Sequence, residues 1–299
     1  MSGEKRRGII QTIKALITLC KPKIVLMCLI VGLSGMILAS RDIQASAMQM
    51  ALAMIALLLD VAAANSLNMF LERNSDKKME RTKNRPLPSE KLNPMTALIF
   101  GSILGTLSLV ILFFYVNNVT FVLGIIALIT YVMVYTPLKY KTPYALYIGA
   151  VPGAMPVLMG YTAVSNQIDL IGFILFSVLF FWQIPHFLSI AIVRKNEYKA
   201  AGIKAFSLYL EEKYISIQMI IFSVFMMISS LLIGYAKIAG NIYLIMSSII
   251  GLWFIFAIIQ GVKNKDYKNM GSIVYTRSIV YLPLLIASVS VDILISKYI

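Results

Sequence analysis

Charge is what this sequence has least of. Only 13% of its 299 residues are Asp, Glu, Lys or Arg, where a soluble domain carries roughly 25%. Hydrophobic residues make up 59% of the chain, and the mean hydropathy is +0.83. Together these figures exclude an ordinary soluble domain. They point to a polytopic membrane protein, because the apolar runs are long enough to cross a bilayer. Cysteine is scarce as well. Cys20 and Cys28 match no metal-binding spacing and read as free thiols. There is a single histidine, His186. No obvious cleavage site precedes Arg41, and Lys21 and Lys23 abut the first apolar run, so that run reads as retained.

What is present is a series of apolar blocks. They predict an all-α chain with nine transmembrane helices, at about 24–40, 46–71, 95–116, 119–138, 145–163, 167–190, 214–236, 240–262 and 277–296. Charge orients them. With the N-terminus inside, 24 of the 27 basic residues fall on inner segments; only Arg41, Lys237 and Lys297 fall outside. That is the positive-inside pattern. The net charge of +14 is then mostly topology, with attraction to anionic headgroups, and is no sign of nucleic-acid binding. The expected placement is the cell membrane, with a cytoplasmic N-terminus and long loops on the cytoplasmic side.

Two long polar inner loops, after spans 2 and 6, are separated by four spans. This predicts one transmembrane domain with a pseudo-repeat, about 20–140 and 141–262, and a ninth helix at about 277–296. If the halves are pseudo-symmetric, the two loops face each other across one cavity. Gly101/Gly105 and Gly149/Gly153 have a spacing that lets helices approach closely. The segment GAVPGAMP (149–156) reads as a packed kink or as a kink that shapes a cavity.

The charges that do occur gather in NMFLERNSDKKMERTKNRPLP, residues 68–88. Asn68, Glu72 and Asp76 fall at i, i+4 and i+8, on one slowly drifting helix face. All three offer side-chain oxygen. Oxygen donors suit a hard cation, and Mg²⁺ is commonly held by one or two carboxylates, waters and a substrate phosphate. The neighbouring bases, Arg73, Lys77, Lys78, Arg81, Lys83 and Arg85, suit a polyanion. A solvated juxtamembrane helix laced with salt bridges is the competing reading. Two more inner loops add bases: YTPLKYKTPY (135–144), with Lys139 and Lys141, and FWQIPHFLSIAIVRKNEYKAAG (181–202), with His186, Arg194, Glu197 and Tyr198.

These three segments carry a resemblance. From about residue 15 to about 285 the chain resembles the UbiA superfamily of intramembrane prenyltransferases. The KMERTKNRP continuation and the WQIPHF and AAGI features are similar to its heme O synthases. The resemblance implies nine helices around a cavity open to lipid. It implies Mg²⁺ as cofactor, farnesyl diphosphate and heme B as substrates, and possible association with a heme A synthase or a terminal oxidase. Carried over, Asn68, Glu72 and Asp76 hold the metal, with Glu197 as a fourth catalytic position. Arg73, Lys77, Arg81, Arg85, Lys139 and Arg194 meet the diphosphate. His186, Tyr135, Trp182 and Tyr198 line the heme side or the cavity, and Tyr131, Phe180 and Phe181 are further aromatic candidates. His186 reads three ways: as an iron ligand, as a propionate partner, or as a packing residue. The family's second motif, Asp-xxx-Asp, is reduced here to Glu197 in IVRKNEY, which leaves the number of metal ions open.

Two other functions compete. The acceptor could be an aromatic acid, a quinone precursor or a glycerol phosphate. The chain could instead be a small-molecule transporter built from two halves, although the outer side offers almost nothing ionisable for a transport path.

Overall fold

The computed structural model describes residues 3–40, 43–236 and 238–296, and among them all regular structure is helical. Arg41, Lys237 and Lys297, the outward basic residues of the topology argument, lie outside the described residues. Nine helices among the described residues are long and apolar enough to cross a membrane, which makes this a multi-pass integral membrane protein. Side chains that would be buried in a soluble protein point outward along these spans. Phe114, Met133 and Leu170 are each 70% exposed, as expected where lipid is the solvent.

An N-terminal helix α1 (Gly3–Leu19) precedes the spans. Then follow α2 (Pro22–Ala39), α3 (Ala47–Asp76), α4 (Pro94–Val116), α5 (Asn118–Leu138), α6 (Ala145–Ser165) and α7 (Leu170–Val193). A short α8 (Lys195–Ala201) leads to α9 (Glu212–Tyr235), α10 (Asn241–Lys263) and α11 (Tyr267–Ser296). Local chemistry sets several starts. Ser46, Asn117 and Asp169 each accept a hydrogen bond from a backbone N–H one turn on. Asn93 does the same for Met95, with Pro94 as the first helical residue.

Two boundaries differ from the sequence reading. Helix α3 runs on to Asp76 rather than ending near 71, because Glu72 and Asp76 find basic partners at its end. Helix α11 starts at Tyr267, well before 277. Asp266 accepts from the Asn269 and Met270 N–H groups there and caps a polar first turn. Helix α1 is an addition. Its Ala15 and Leu19 pack with Met69, Leu87, Leu92 and Ala97.

The chain forms two compact units. The first comprises Met1–Lys141, Met155–Gln167 and Glu197–Ile203. In it α3 is the hub, touching α1, α2, α4 and α5. Helix α2 meets the C-terminal part of α6 almost backbone to backbone: a Cβ on Gly160 would sit 1.9 Å from the Gly32 carbonyl oxygen, and one on Gly35 would sit 2.3 Å from that of Val157. The second unit comprises Thr142–Ala154, Ile168–Asn196 and Lys204–Ile299. In it α7, α9, α10 and α11 pack in a ring, each touching the next and α11 returning to α7. Gly153 is needed there, because a Cβ would lie 1.8 Å from Gln183 Oε1. The Gln183 amide donates to the Ala150 and Leu179 carbonyls.

Candidate active site

The first unit holds a buried polar cluster at the C-terminal end of α3. Asn68, Glu72 and Asp76 are all buried, on successive turns of one helix. Each oxygen donor has its own base. Lys21 donates to Asn68 Oδ1 at 3.0 Å. Lys139 forms an ion pair with Glu72. Arg85 Nη1 lies 2.8 Å from Asp76 Oδ2.

The hydrogen-bond network fixes the Asn68 amide. Both of its N–H groups are used, one on Glu72 Oε1 at 2.7 Å and one on Thr136 Oγ1 at 3.0 Å. Thr136 in turn donates to the Tyr131 carbonyl at 2.8 Å. The amide oxygen is thereby aimed at Lys21. Asp76 is held differently. Its backbone carbonyl accepts from Thr82 at 2.8 Å, and Thr82 anchors the turn that brings Arg85 back. Its Oδ1 is buried and has no hydrogen-bond partner.

Backbone geometry delivers Lys21. It sits at the α1–α2 junction with φ 51°, in the left-handed region. The Asn65 amide, on α3, donates to the preceding Cys20 carbonyl at 3.2 Å. The residue as a whole is half-buried. Burial of its ammonium, with the positive Arg85 as the next cause, lowers its pKa from the ordinary 10.5 to about 8. Burial likewise raises the pKa of Tyr140, whose hydroxyl lies 2.5 Å from Ser75 Oγ. The Lys139 ammonium lies 5.5 Å from the Tyr135 ring centre and 5.6 Å from that of Tyr140.

Of the bases expected at this site, the structure brings Arg85 and Lys139 onto the carboxylates. Arg73 donates to the Phe70 carbonyl of its own helix and lies over the Phe70 ring. Lys77 turns to Glu90 at 2.8 Å, in an exposed pair, and not to Glu72. Arg81 is exposed. Glu197 and Tyr198 are half-buried on α8.

In the second unit, Arg194 ends α7, its backbone N–H donating to the Ile190 carbonyl. His186 stands beside Trp182 and Tyr275, with ring centres 5.1 and 5.4 Å away and nearly parallel planes. Its Nδ1 lies 2.7 Å from Ser278 Oγ. Phe180 stacks on Phe176, and Phe181 packs against Phe222 and Phe225. Phe180 and Phe181 are both half-buried.

Sequence reasoning missed Lys21, Thr136 and Ser278. From the sequence Lys21 reads only as a topological charge, and Pro22 after it would favour an extended backbone there rather than the left-handed one observed.

The chemistry of the first cluster is clear from its parts. Three oxygen donors and three cations alternate in a buried place. One carboxylate oxygen is unspent. Such a set suits a hard metal ion together with a phosphate ester, because the oxygen donors can meet the metal and the bases can meet the phosphate oxygens. Comparison with known proteins shows the family. The model of the UbiA prenyltransferase family matches residues 25–279. A protoheme IX farnesyltransferase of Myxococcus xanthus is 39% identical over 277 residues, covering 93% of this chain and 94% of that protein. One of Sorangium cellulosum is 42% identical over 243 residues, 81% of this chain and 87% of that protein. Among solved structures, one from work on digeranylgeranylglyceryl phosphate synthase superposes with a TM-score of 0.80 at 21% identity, covering 94% of this chain and 98% of that one. A UbiA homolog from Archaeoglobus fulgidus bound to GPP and Mg²⁺ superposes at 0.60 and 14% identity, covering 92% and 99%. Fold, matched span and relatives agree: the chain belongs to the UbiA prenyltransferase family.

Proposed function

We propose that this protein transfers the farnesyl group of farnesyl diphosphate to a vinyl group of heme B, giving heme O. The observation that carries the reading is the one-to-one pairing of Asn68, Glu72 and Asp76 with Lys21, Lys139 and Arg85, in a chain 39% identical over 277 residues to a protoheme IX farnesyltransferase.

The cluster fits Mg²⁺. Its donors are oxygen, two are carboxylates, and Asp76 Oδ1 is buried without a partner. Asn68, Glu72 and Asp76 would hold the ion. When bound, Mg²⁺ supplies charge stabilisation for the departing diphosphate. The rest is the chain's own work. Lys21 turns from the Asn68 amide, and Lys139 and Arg85 from their carboxylates, to the diphosphate oxygens and neutralise the charge that grows as the allylic C–O bond breaks. Arg73, Lys77, Arg81 and Arg194 are further candidate partners of the diphosphate by resemblance to the family, and Glu197 is a further acidic position. Tyr135, beside Tyr131 at 5.6 Å between ring centres, offers a π face to the farnesyl cation. The vinyl π electrons form the new C–C bond, and water adds to the resulting cation with loss of a proton. His186, Trp182 and Tyr198 serve the heme side, with His186 as ligand to the iron of the porphyrin substrate.

The same reading places the protein in the cell membrane with the N-terminus and the diphosphate site on the cytoplasmic side, and makes a heme A synthase or a terminal oxidase the natural receiver of the product. The internal organisation we propose is the pseudo-repeat of about 20–140 and 141–262 with an added final helix.

The test is the heme extracted from cells that lack their own heme O synthase and express this chain. Heme O appearing with the wild type and not with Asp76→Asn supports the assignment. Abundant membrane-inserted protein with no heme O removes heme as the acceptor and leaves the other prenyl acceptors.

A further inference from the structure

Ser278 sits where it decides the protonation of His186. Its Oγ lies 2.6 Å from the Tyr275 carbonyl and 2.7 Å from His186 Nδ1. A hydroxyl has one proton to donate, and a carbonyl can only accept. The Ser278 proton therefore goes to Tyr275. The lone pair of Oγ then faces Nδ1, and Nδ1 must carry the hydrogen.

We infer that Ser278 is a positioning residue: it holds His186 as the Nδ1–H tautomer and leaves the Nε2 lone pair for the iron of the porphyrin substrate. The inference rests on the proposed heme-side role of His186 and adds what orients it. Three further observations support it. Ser278 is fully buried, so no solvent competes for the bond. The Trp182 indole N–H donates to the Ser278 carbonyl at 2.9 Å, which ties this point of α11 to α7. The rings of Trp182 and Tyr275 lie 16° and 28° from the imidazole plane and hold its orientation. Among the described residues Nδ1 has a hydrogen-bond partner and Nε2 has none, while His186 as a whole is only half-buried. A histidine that donates from one nitrogen is fixed in tautomer and made more basic at the other, which is how ligating histidines are set.

The test uses the full chain in detergent, titrated with ferric heme and then reduced, with the iron–histidine stretch read by resonance Raman. Wild type shows the stretch. Ser278→Ala binds heme about 10- to 100-fold more weakly and moves the stretch to lower frequency, because the Nδ1 hydrogen bond is gone. Its KM for heme rises while its KM for farnesyl diphosphate stays at the wild-type value, which also shows that the variant is folded. Ser278→Thr, which keeps the hydroxyl, returns the wild-type stretch. A Ser278→Ala protein with wild-type stretch and affinity overturns the role of Ser278 and leaves His186 as ligand. A His186→Ala protein whose heme spectrum equals the wild type overturns iron ligation itself, and the inference with it.

Discussion

The ammonium of Lys21 donates to the amide oxygen of Asn68 at 3.0 Å, from a residue forty-seven positions away at the junction of two other helices. The contact places a base on the first of the three oxygen donors. It depends on a left-handed residue at the α1–α2 junction and on Asn65 holding the carbonyl before it. Replacing Lys21 by Met leaves Asn68 in place and removes one cation from the proposed diphosphate site. A hydrogen bond to a charged group contributes about 1.5–3 kcal/mol. The KM for farnesyl diphosphate is therefore expected to rise about 10- to 100-fold, with the KM for heme little changed, in steady-state assays.

The same lysine predicts a pH dependence. Its pKa in the free protein is lowered to about 8, by burial first and by Arg85 second. A bound diphosphate favours the charged form, so binding above pH 8 must take up a proton. Affinity then falls as the pH rises through about 8 toward the ordinary lysine value. Lys21→Arg keeps its charge in that range and is expected to show a flat profile, as is Lys21→Met at lower affinity. Binding measured from pH 7 to 10 with the three proteins checks this.

Lys139 and Glu72 are a mutually dependent pair. Lys139→Met leaves a buried carboxylate without its base, and Glu72→Gln leaves the base without its acid. Residues in direct contact couple by about 0.5–3 kcal/mol. In a double-mutant cycle on kcat/KM, the double variant is expected to lose less than the two single losses combined. Additive losses show that the pair does not act together.

The close approach of α2 and α6 is a separate matter of stability. A methyl on Gly160 would meet the Gly32 carbonyl oxygen at 1.9 Å, and backbone cannot yield as a side chain does. Overpacking costs about 1–3 kcal/mol. Gly160→Ala is expected to lower the thermal midpoint in detergent, while Gly202→Ala, with nothing within 4 Å of its Cβ but a positive φ, tests strain without a clash.

Much of this was legible in the residues. Runs of apolar side chains marked the nine spans, and the spacing of Asn68, Glu72 and Asp76 predicted a shared helix face. The ends of α3 and α11 were less visible, because polar residues continue a helix when a partner or a cap awaits them. Asp266 caps α11, and Arg85 receives Asp76. Such partners are tertiary, and local hydropathy does not record them. Lys21 was hidden for a different reason. In a membrane protein most bases report topology, and nothing in the local sequence separates Lys21, which reaches inward, from Lys23, which is exposed. Ser278 was hidden because one serine among many carries no signal until His186 is seen beside it.

The decisive measurement is the conversion of heme B to heme O by the purified protein given farnesyl diphosphate, with Mg²⁺ or with EDTA, for wild type and Asp76→Asn. Heme O is expected from the wild type with Mg²⁺, none is expected in EDTA, and Asp76→Asn is expected to slow the reaction about 10²- to 10³-fold, the scale of losing one charge-stabilising group. Heme O formed at the wild-type rate in EDTA, or by Asp76→Asn, contradicts a metal-assisted departure of diphosphate at Asn68, Glu72 and Asp76.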